Sequence, residues 1–378
     1  MKRYRFSDIA YNITEKKMPV AGDEKLYIGL EHLDSGSLNV TRWGGSIELK
    51  GEKLVMKKGD VLFGRRNTYL RRAAIAPHDG IFSAHGMIFR PKTDVVDPTF
   101  FPFFIASDYF MDEAIRISVG SLSPTVNWGT LKNLEFDLPS IPEQQKHARL
   151  LAAFERTKEA YKNLISATDD LVKSQFIEMF GTPESALDSS HTIAEVADVQ
   201  VGIVIKPTRY YADGNSGIKA FRSLNIGPMC IKDDDWVCFT EEAMKETQRT
   251  IAHTDDILVV RSGNPGTSCV VPPEYDGCNV IDLIIAHPNK EKVLPEYLSA
   301  FTNMPHGMNQ INSQQRGVAQ KHFNVGMYKD LKLILPSLDE QKRFVEFLKQ
   351  SDKSKFAAQQ ALKEVTDAQK ALMKKIFE

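Results

Sequence analysis

The chain has 378 residues, 42% of them hydrophobic and 26% charged, with a formal net charge of −1. That length accommodates two or three domains of ordinary globular composition. No run of eighteen apolar residues occurs, and Met1-Lys2-Arg3-Tyr4-Arg5-Phe6 turns polar without a secretory core, so the expectation is a soluble cytoplasmic chain without membrane contact.

In chain order, residues 1–137 read as a first globular part, mixed α/β with short strands. Within it, the stretch from Lys57 to Arg72 carries Lys57, Lys58, Arg65, Arg66, Arg71 and Arg72 against the single acid Asp60. A net charge near zero argues against indiscriminate nucleic-acid binding, but such a local basic stretch can still steer an anionic partner. Val61-Leu62-Phe63 is strand-like, bounded by charge and glycine. Pro98 is expected to open a short helix, because proline is tolerated in a first turn.

Residues 138–181 read as one long helix. Ser140 and Glu143 form an S-x-x-E capping box. About 38 residues without glycine or proline follow, roughly 57 Å of helix. Its apolar residues Leu150, Phe154, Leu164, Leu171, Val172 and Met179 follow 3–4 spacing. Gly181-Thr182-Pro183 and the serine-rich run to Ser190 end it.

Residues 182–334 read as a second globular part. Ile257-Leu258-Val259-Val260 is strand-like, and Pro295 is expected to open a short helix. Cys230, Cys238, Cys269 and Cys278 lack C-x-x-C spacing, so reduced and mostly buried thiols are expected, not a zinc site. Residues 335–378 then form a second long helix capped by Ser337 and Glu340. Its stripe is Phe344, Phe347, Leu348, Ala358, Ala361, Val365, Ala368, Leu372 and Ile376. Such helices bury little alone, and the nearest partner of each is the other. Two equivalent helices related by an approximate two-fold axis are expected to pair antiparallel, with Tyr161 and Ala358 near the crossing point, and a bulky stripe against an alanine-rich one predicts close packing.

The two parts are one unit written twice. Leu138-Pro139-Ser140-Ile141-Pro142-Glu143-Gln144 returns as Leu335-Pro336-Ser337-Leu338-Asp339-Glu340-Gln341, an offset of 197 residues that holds without a gap from Pro98/Pro295 onward. It pairs Phe104 with Phe301, Gly120 with Gly317, Asn127 with Asn324 and Phe180 with Phe377. Gly59-Asp60-Val61-Leu62 echoes Asp255-Asp256-Ile257-Leu258 more loosely.

A Leu-Pro-Ser-x-x-Glu-Gln run opening a long helix, after variable α/β sequence and then repeated, resembles the specificity subunit of type I restriction–modification systems. So do Lys58-Gly59-Asp60-Val61-Leu62-Phe63-Gly64 and Asp256-Ile257-Leu258-Val259-Val260-Arg261-Ser262-Gly263-Asn264-Pro265-Gly266. The resemblance covers essentially the whole chain. It implies two target-recognition domains, each reading one half of a split sequence in double-stranded DNA. It also implies paired helices that set the unread gap and dock two modification (methyltransferase) subunits. Those subunits bring S-adenosylmethionine, the chain itself holding no cofactor or metal, and restriction subunits are an optional addition. Asp339 stands where Pro142 would suggest proline, and both fit a first helical turn.

Catalytic motifs are missing. The sequence has no G-x-G, no G-K-[ST] and no H-E-x-x-H, and its one Pro-Pro pair, Pro272-Pro273, lies outside any Asn-Pro-Pro-aromatic run. A non-catalytic, DNA-reading role is therefore expected. Arginine reads guanine, Asn and Gln read adenine, and Lys, Arg and hydroxyls meet phosphates. In the first domain these types gather at Lys57, Lys58, Arg65, Arg66, Asn67, Tyr69, Arg71 and Arg72. In the second, His306 to His322 is free of acids and carries Asn309, Gln310, Asn312, Gln314, Gln315, Arg316, Gln320 and Lys321; Arg209, Tyr210, Arg222, Arg261 and Asn264 are further candidates. Three alternatives stay open: the equivalent subunit of a system with a fused nuclease–methyltransferase, a methyltransferase or nuclease acting alone, against which the missing motifs count, and a coiled-coil scaffold that binds no DNA.

Overall fold

The structure, a computed structural model, describes residues 1–45, 49–214, 216–314 and 323–377. The chain divides into two compact units, Met1–Asn163 with Ala358–Glu378, and Leu164–Ala357. Each unit holds a globular part, one half of the first long helix and one half of the second.

In the first unit, Ala10–Ile13, Met87–Pro91, Val61–Phe63 and Ala73–Ile75 form an antiparallel four-stranded sheet in that order. Lys16–Lys17, Lys53–Met56, Gly80–Phe82 and Tyr27–Ile28 form a second, whose last pair is parallel. Lys2–Arg5 pairs with Glu135–Leu138, which ties the chain start to the strand that leads into the long helix. Phe6, Phe63, Phe89, Phe104, Phe110 and Phe136 are all fully buried and fill the core with edge-on and tilted ring contacts.

The second unit repeats the main sheet: Ala197–Val201, Leu283–Pro288, Ile257–Val260 and Ser268–Val270, antiparallel throughout and in the same order. Beside it Val237–Phe239, Ile218–Phe221 and Asn279–Val280 form a three-stranded mixed sheet. Helices Phe101–Ala106 and Asp108–Arg116 of the first unit have Pro295–Asn303 and Pro305–Gln314 as counterparts. Pro295 opens its helix as expected. Pro98 lies ahead of its helix, because Asp97 Oδ1 accepts from the Thr99 N–H at 2.9 Å and its carbonyl from Phe101 at 3.0 Å, so the chain makes a turn first.

The long helices run Ile141–Phe180 and Leu338–Phe377, 40 residues each. The Glu143 carboxylate accepts from Ser140 N and Oγ at 2.9 and 2.7 Å; Glu340 does the same for Ser337 at 3.0 and 2.7 Å. Gly181 ends the first helix in the left-handed conformation (φ 89°), its N–H returning to the Ile177 carbonyl at 2.8 Å.

The helices pair antiparallel in each unit. In the second, Asp169 meets Lys355 at 2.6 Å, while seven residues further on Phe176 meets Phe344, eleven residues earlier, with ring centroids 5.1 Å apart. In the first, Gln369 donates to Glu155 at 2.7 Å, and Ala148 and Leu151 share a core with Ile376. Ala358 is buried and Tyr161 half-buried. The expected bulky stripe is displaced, however. Leu150, Leu164 and Leu171 are 45, 51 and 53% exposed, and the inward face is Ala148, Leu151, Val172 and Phe176, with Glu155 and Asp169 in polar contacts between. On the second helix Ala368 is exposed and Gln369 turns inward to meet Glu155. Apolar spacing alone merges two faces of the first helix into one.

Candidate nucleic-acid interface

The basic stretch of the first domain lies at two ends of one hairpin. Val61–Phe63 and Ala73–Ile75 are its strands, with Val61 opposite Ile75 and Phe63 opposite Ala73. Lys57 and Lys58 lie before the first strand, exposed, their backbone N–H groups donating to Asp60 at 2.8 Å and Asp79 at 2.7 Å. The Arg65–Arg72 loop lies at the far end, about 10 Å away at the usual strand rise. The structure therefore separates the lysines from the arginines.

The loop itself is firmly built. Gly64 N–H closes it on the Arg72 carbonyl at 2.9 Å, and Thr68 Oγ1 donates to the Arg65 carbonyl at 2.8 Å. Asn67 and Arg71 take positive φ of 54° and 48°. Arg71 is held by Asp108 at 2.9 Å and by Asp112, so its charge is matched within the domain. Arg66 and Tyr69 are exposed, and Arg65, Asn67 and Arg72 are half-buried. Among the described residues, Arg65 Nε and Asn67 Oδ1 have no hydrogen-bond partner.

A segment that sequence reasoning missed lies against this loop. The Asn67 N–H donates to the Pro124 carbonyl at 2.7 Å, the Val126 N–H to the Arg65 carbonyl at 2.9 Å, and Arg66 Nη2 to Ser123 Oγ at 3.3 Å. The contacting residues are roughly sixty positions apart in the chain, which hides their contact. The available signal was an acid-free run from Ile117 to Leu134 around Asn127.

In the second domain Arg261 takes the place of Arg65. It follows the matching strand, and its carbonyl accepts from Phe323 at 3.1 Å as that of Arg65 accepts from Val126. Its side chain is turned inward, to Asp282 at 2.6 Å and the Phe323 carbonyl at 3.1 Å. Asn264 is exposed in the loop that follows, and that loop packs on the helix Pro305–Gln314: a Cβ on Gly266 would come 2.6 Å from Ile311. Asn309 and Asn312 are exposed on that helix and Gln314 is half-buried. Gln310 is buried and clamps Lys332, accepting from its N–H and donating to its carbonyl at 2.9 Å each, so this residue serves the fold. Gln315, Arg316, Gln320 and Lys321 lie outside the described residues.

The remaining candidates lie beside the three-stranded sheet. Arg222 bonds to Asp235, with its carboxylate at 3.3 Å. Arg209 lies over the Tyr210 ring, 4.4 Å from the centroid, and Tyr210 is buried.

A charge pair anchors each hairpin. Asp60, 3% exposed, meets Arg90 at 2.8 Å; one repeat on, Asp256 meets His287 at 2.6 Å. The Asp256 contact holds the His287 pKa above its ordinary value, against the effect of burial. Cys238, Cys269 and Cys278 are buried and Cys230 exposed, all as free thiols; burial pushes Cys278 up to about 11. Among the described residues no cluster of His, Cys, Asp and Glu suited to a metal ion occurs, and no helix is long and apolar enough to cross a membrane.

The family model for the type I restriction modification DNA specificity domain matches residues 1–167 and 217–366. Among solved structures, the chain is similar to the S subunit of a type I restriction–modification system from M. genitalium (13% identity, TM-score 0.57, covering 100% of this chain and 96% of that one). It is also similar to a chain from a study of complex assembly and conformational transition in the type I system (17% identity, TM-score 0.54, coverage 100% and 97%). No curated protein sequence matches. The likeness in structure is one of fold; the family match extends over both copies of the repeat. The chain therefore belongs to the type I restriction–modification DNA specificity family.

Proposed function

We propose that this chain is the non-catalytic subunit that reads a two-part DNA sequence for a type I restriction–modification enzyme. Each globular part reads one half, and the helix pair sets the gap between halves. Two methyltransferase subunits dock on the chain and bring S-adenosylmethionine; restriction subunits join them where the system cleaves. The observation that supports this best is the equivalence of Arg65 and Arg261. Each begins a loop after the same strand, backed by the segment that leads into a long helix. Two such loops carrying different side chains suit two different base sequences. In the second unit the exposed Leu164 and Leu171 give the first helix an apolar outer face for a protein partner.

The test is to co-express the chain with its methyltransferase subunit, purify the assembly and map methylated adenines in a plasmid library. One motif of two fixed halves around a fixed gap supports the reading. Methylation without a two-part motif, or by this chain alone, contradicts it.

A further inference from the structure

We propose that Leu122 is a wedge that enters the duplex at the first half-site and presses into a base step, while the arginines beside it hold the backbone. This rests on the DNA-reading function proposed above. Leu122 is 95% exposed, which leaves nearly all of its apolar surface in water and makes its burial against a partner favourable. It stands at the tip of a tight loop with fixed walls. Val119 and Thr125 exchange both backbone hydrogen bonds, at 3.1 and 2.9 Å, and Thr125 Oγ1 donates to the Ser123 carbonyl at 2.9 Å. Gly120 makes the corner at φ 112°. The contacts of Pro124 with Asn67 and of Ser123 with Arg66 join the tip to the arginine loop.

The surroundings select nucleic acid over a protein partner. No acid occurs within Val61 to His78 or Ile117 to Leu134, and the acids that reach the arginine loop from elsewhere, Asp108 and Asp112, are engaged by Arg71, which leaves Arg66 beside the tip for phosphate. Leu122 stands at the tip between Ser121 and Ser123, with Val119 63% exposed at the base of the same loop and Tyr69 56% exposed on the neighbouring one, three separate side chains among polar residues. An apolar side chain inserted at a base step partly unstacks it, and the bent duplex then touches more of the protein. The second copy carries Ala319 at the position equivalent to Leu122, so the wedge belongs to one half-site only.

The experiment uses the assembly with its methyltransferase subunits and duplexes of the mapped sequence carrying 2-aminopurine at successive steps of each half. The wild type should raise 2-aminopurine fluorescence at one step of the first half, outside the methylated adenine. Leu122→Ala should abolish that rise and weaken affinity about tenfold, as expected when one leucine goes unburied, with an unchanged salt slope. Leu122→Met should restore both. An unchanged signal and affinity in Leu122→Ala overturns the wedge. So does intact DNA binding with a missing methyltransferase subunit, which makes Leu122 a protein-docking residue. A wild-type assembly that selects no sequence overturns the reading function and the wedge with it.

Discussion

The side-chain oxygen of Gln341 accepts a 2.8 Å hydrogen bond from the backbone N–H of Leu294. Its amide donates to the carbonyls of Lys292 at 3.0 Å and Pro336 at 2.9 Å, and the residue is fully buried. One repeat earlier, Gln144 accepts from Asp97 at 2.8 Å and donates to Val95 and Pro139 at 3.2 and 2.9 Å. In each copy a glutamine in the first turn of the long helix is thus bonded into the loop that follows the main sheet. Gln341→Ala strands three backbone groups at once. It should destabilise the second unit by about 2–3 kcal/mol, seen as a lower urea midpoint. An unchanged midpoint would assign this repeated geometry no energetic weight.

The charge pairs under the hairpins predict a pH dependence confined to one domain. Arg90 does not titrate in the working range, whereas His287 does. Asp256 at 2.6 Å and the nearby Asp198 raise the folded pKa of His287 above the unfolded value of about 6.5. The contact therefore contributes its full stability below that unfolded value and loses it as pH rises through the raised folded value. Gln200, whose amide nitrogen lies 3.0 Å from the other ring nitrogen, has to turn its amide over when that nitrogen is protonated. The thermal midpoint of the second unit should fall as pH rises above the unfolded value of about 6.5, and His287→Arg should flatten that fall. A wild-type midpoint that rises over the range would refute the assignment.

The arginine loop predicts a specific salt response. Arg65→Ala with Arg66→Ala should weaken binding at the first half-site and lower the slope of log affinity against log salt by about one for each phosphate left without its arginine. If either arginine reads a base, the preference at that position should relax by roughly 1–3 kcal/mol for a bidentate pair. Lys57→Ala with Lys58→Ala, at the opposite end of the hairpin, should leave the base preference unaltered. Equal effects of the two double variants would show that the loop is not the reading element.

The exposed face of the first helix predicts a separable assembly defect. Leu164→Glu with Leu171→Glu places charge where an apolar partner would lie, but leaves the inward Val172 and Phe176 untouched. The chain should fold with its helicity intact and fail to co-purify with the methyltransferase subunit. Retention of that subunit at wild-type stoichiometry would place docking elsewhere.

The repeat, the capping boxes and the 40-residue helices were legible in the sequence because they depend on local chemistry at fixed spacing. The antiparallel pairing followed from the repeat. The inward face of the first helix did not, because its seam includes Glu155 and Asp169, which hydrophobic spacing counts as outside. At the candidate interface the sequence indicated the loop but not which charges remain available. Asp108, some forty residues from Arg71, matches it, and Asp282 matches Arg261. Leu122 escaped notice for a related reason: exposure at a loop tip is a property of the fold, not of the residue.

The claim that the helices measure the gap between two readers is tested most directly by lengthening them. Seven residues inserted after Ala160 and after Ala357 keep the 3.5-residue seam in phase and extend each helix by roughly 10 Å. At about 3.4 Å per base pair the gap could widen by up to about three base pairs, with the change in DNA twist taken up by bending or twisting the duplex. Methylated adenines mapped genome-wide for the wild type and the lengthened assembly should show identical half-sequences around a longer gap. A lengthened variant that folds and methylates with an unaltered gap, or with altered half-sequences, would contradict the account.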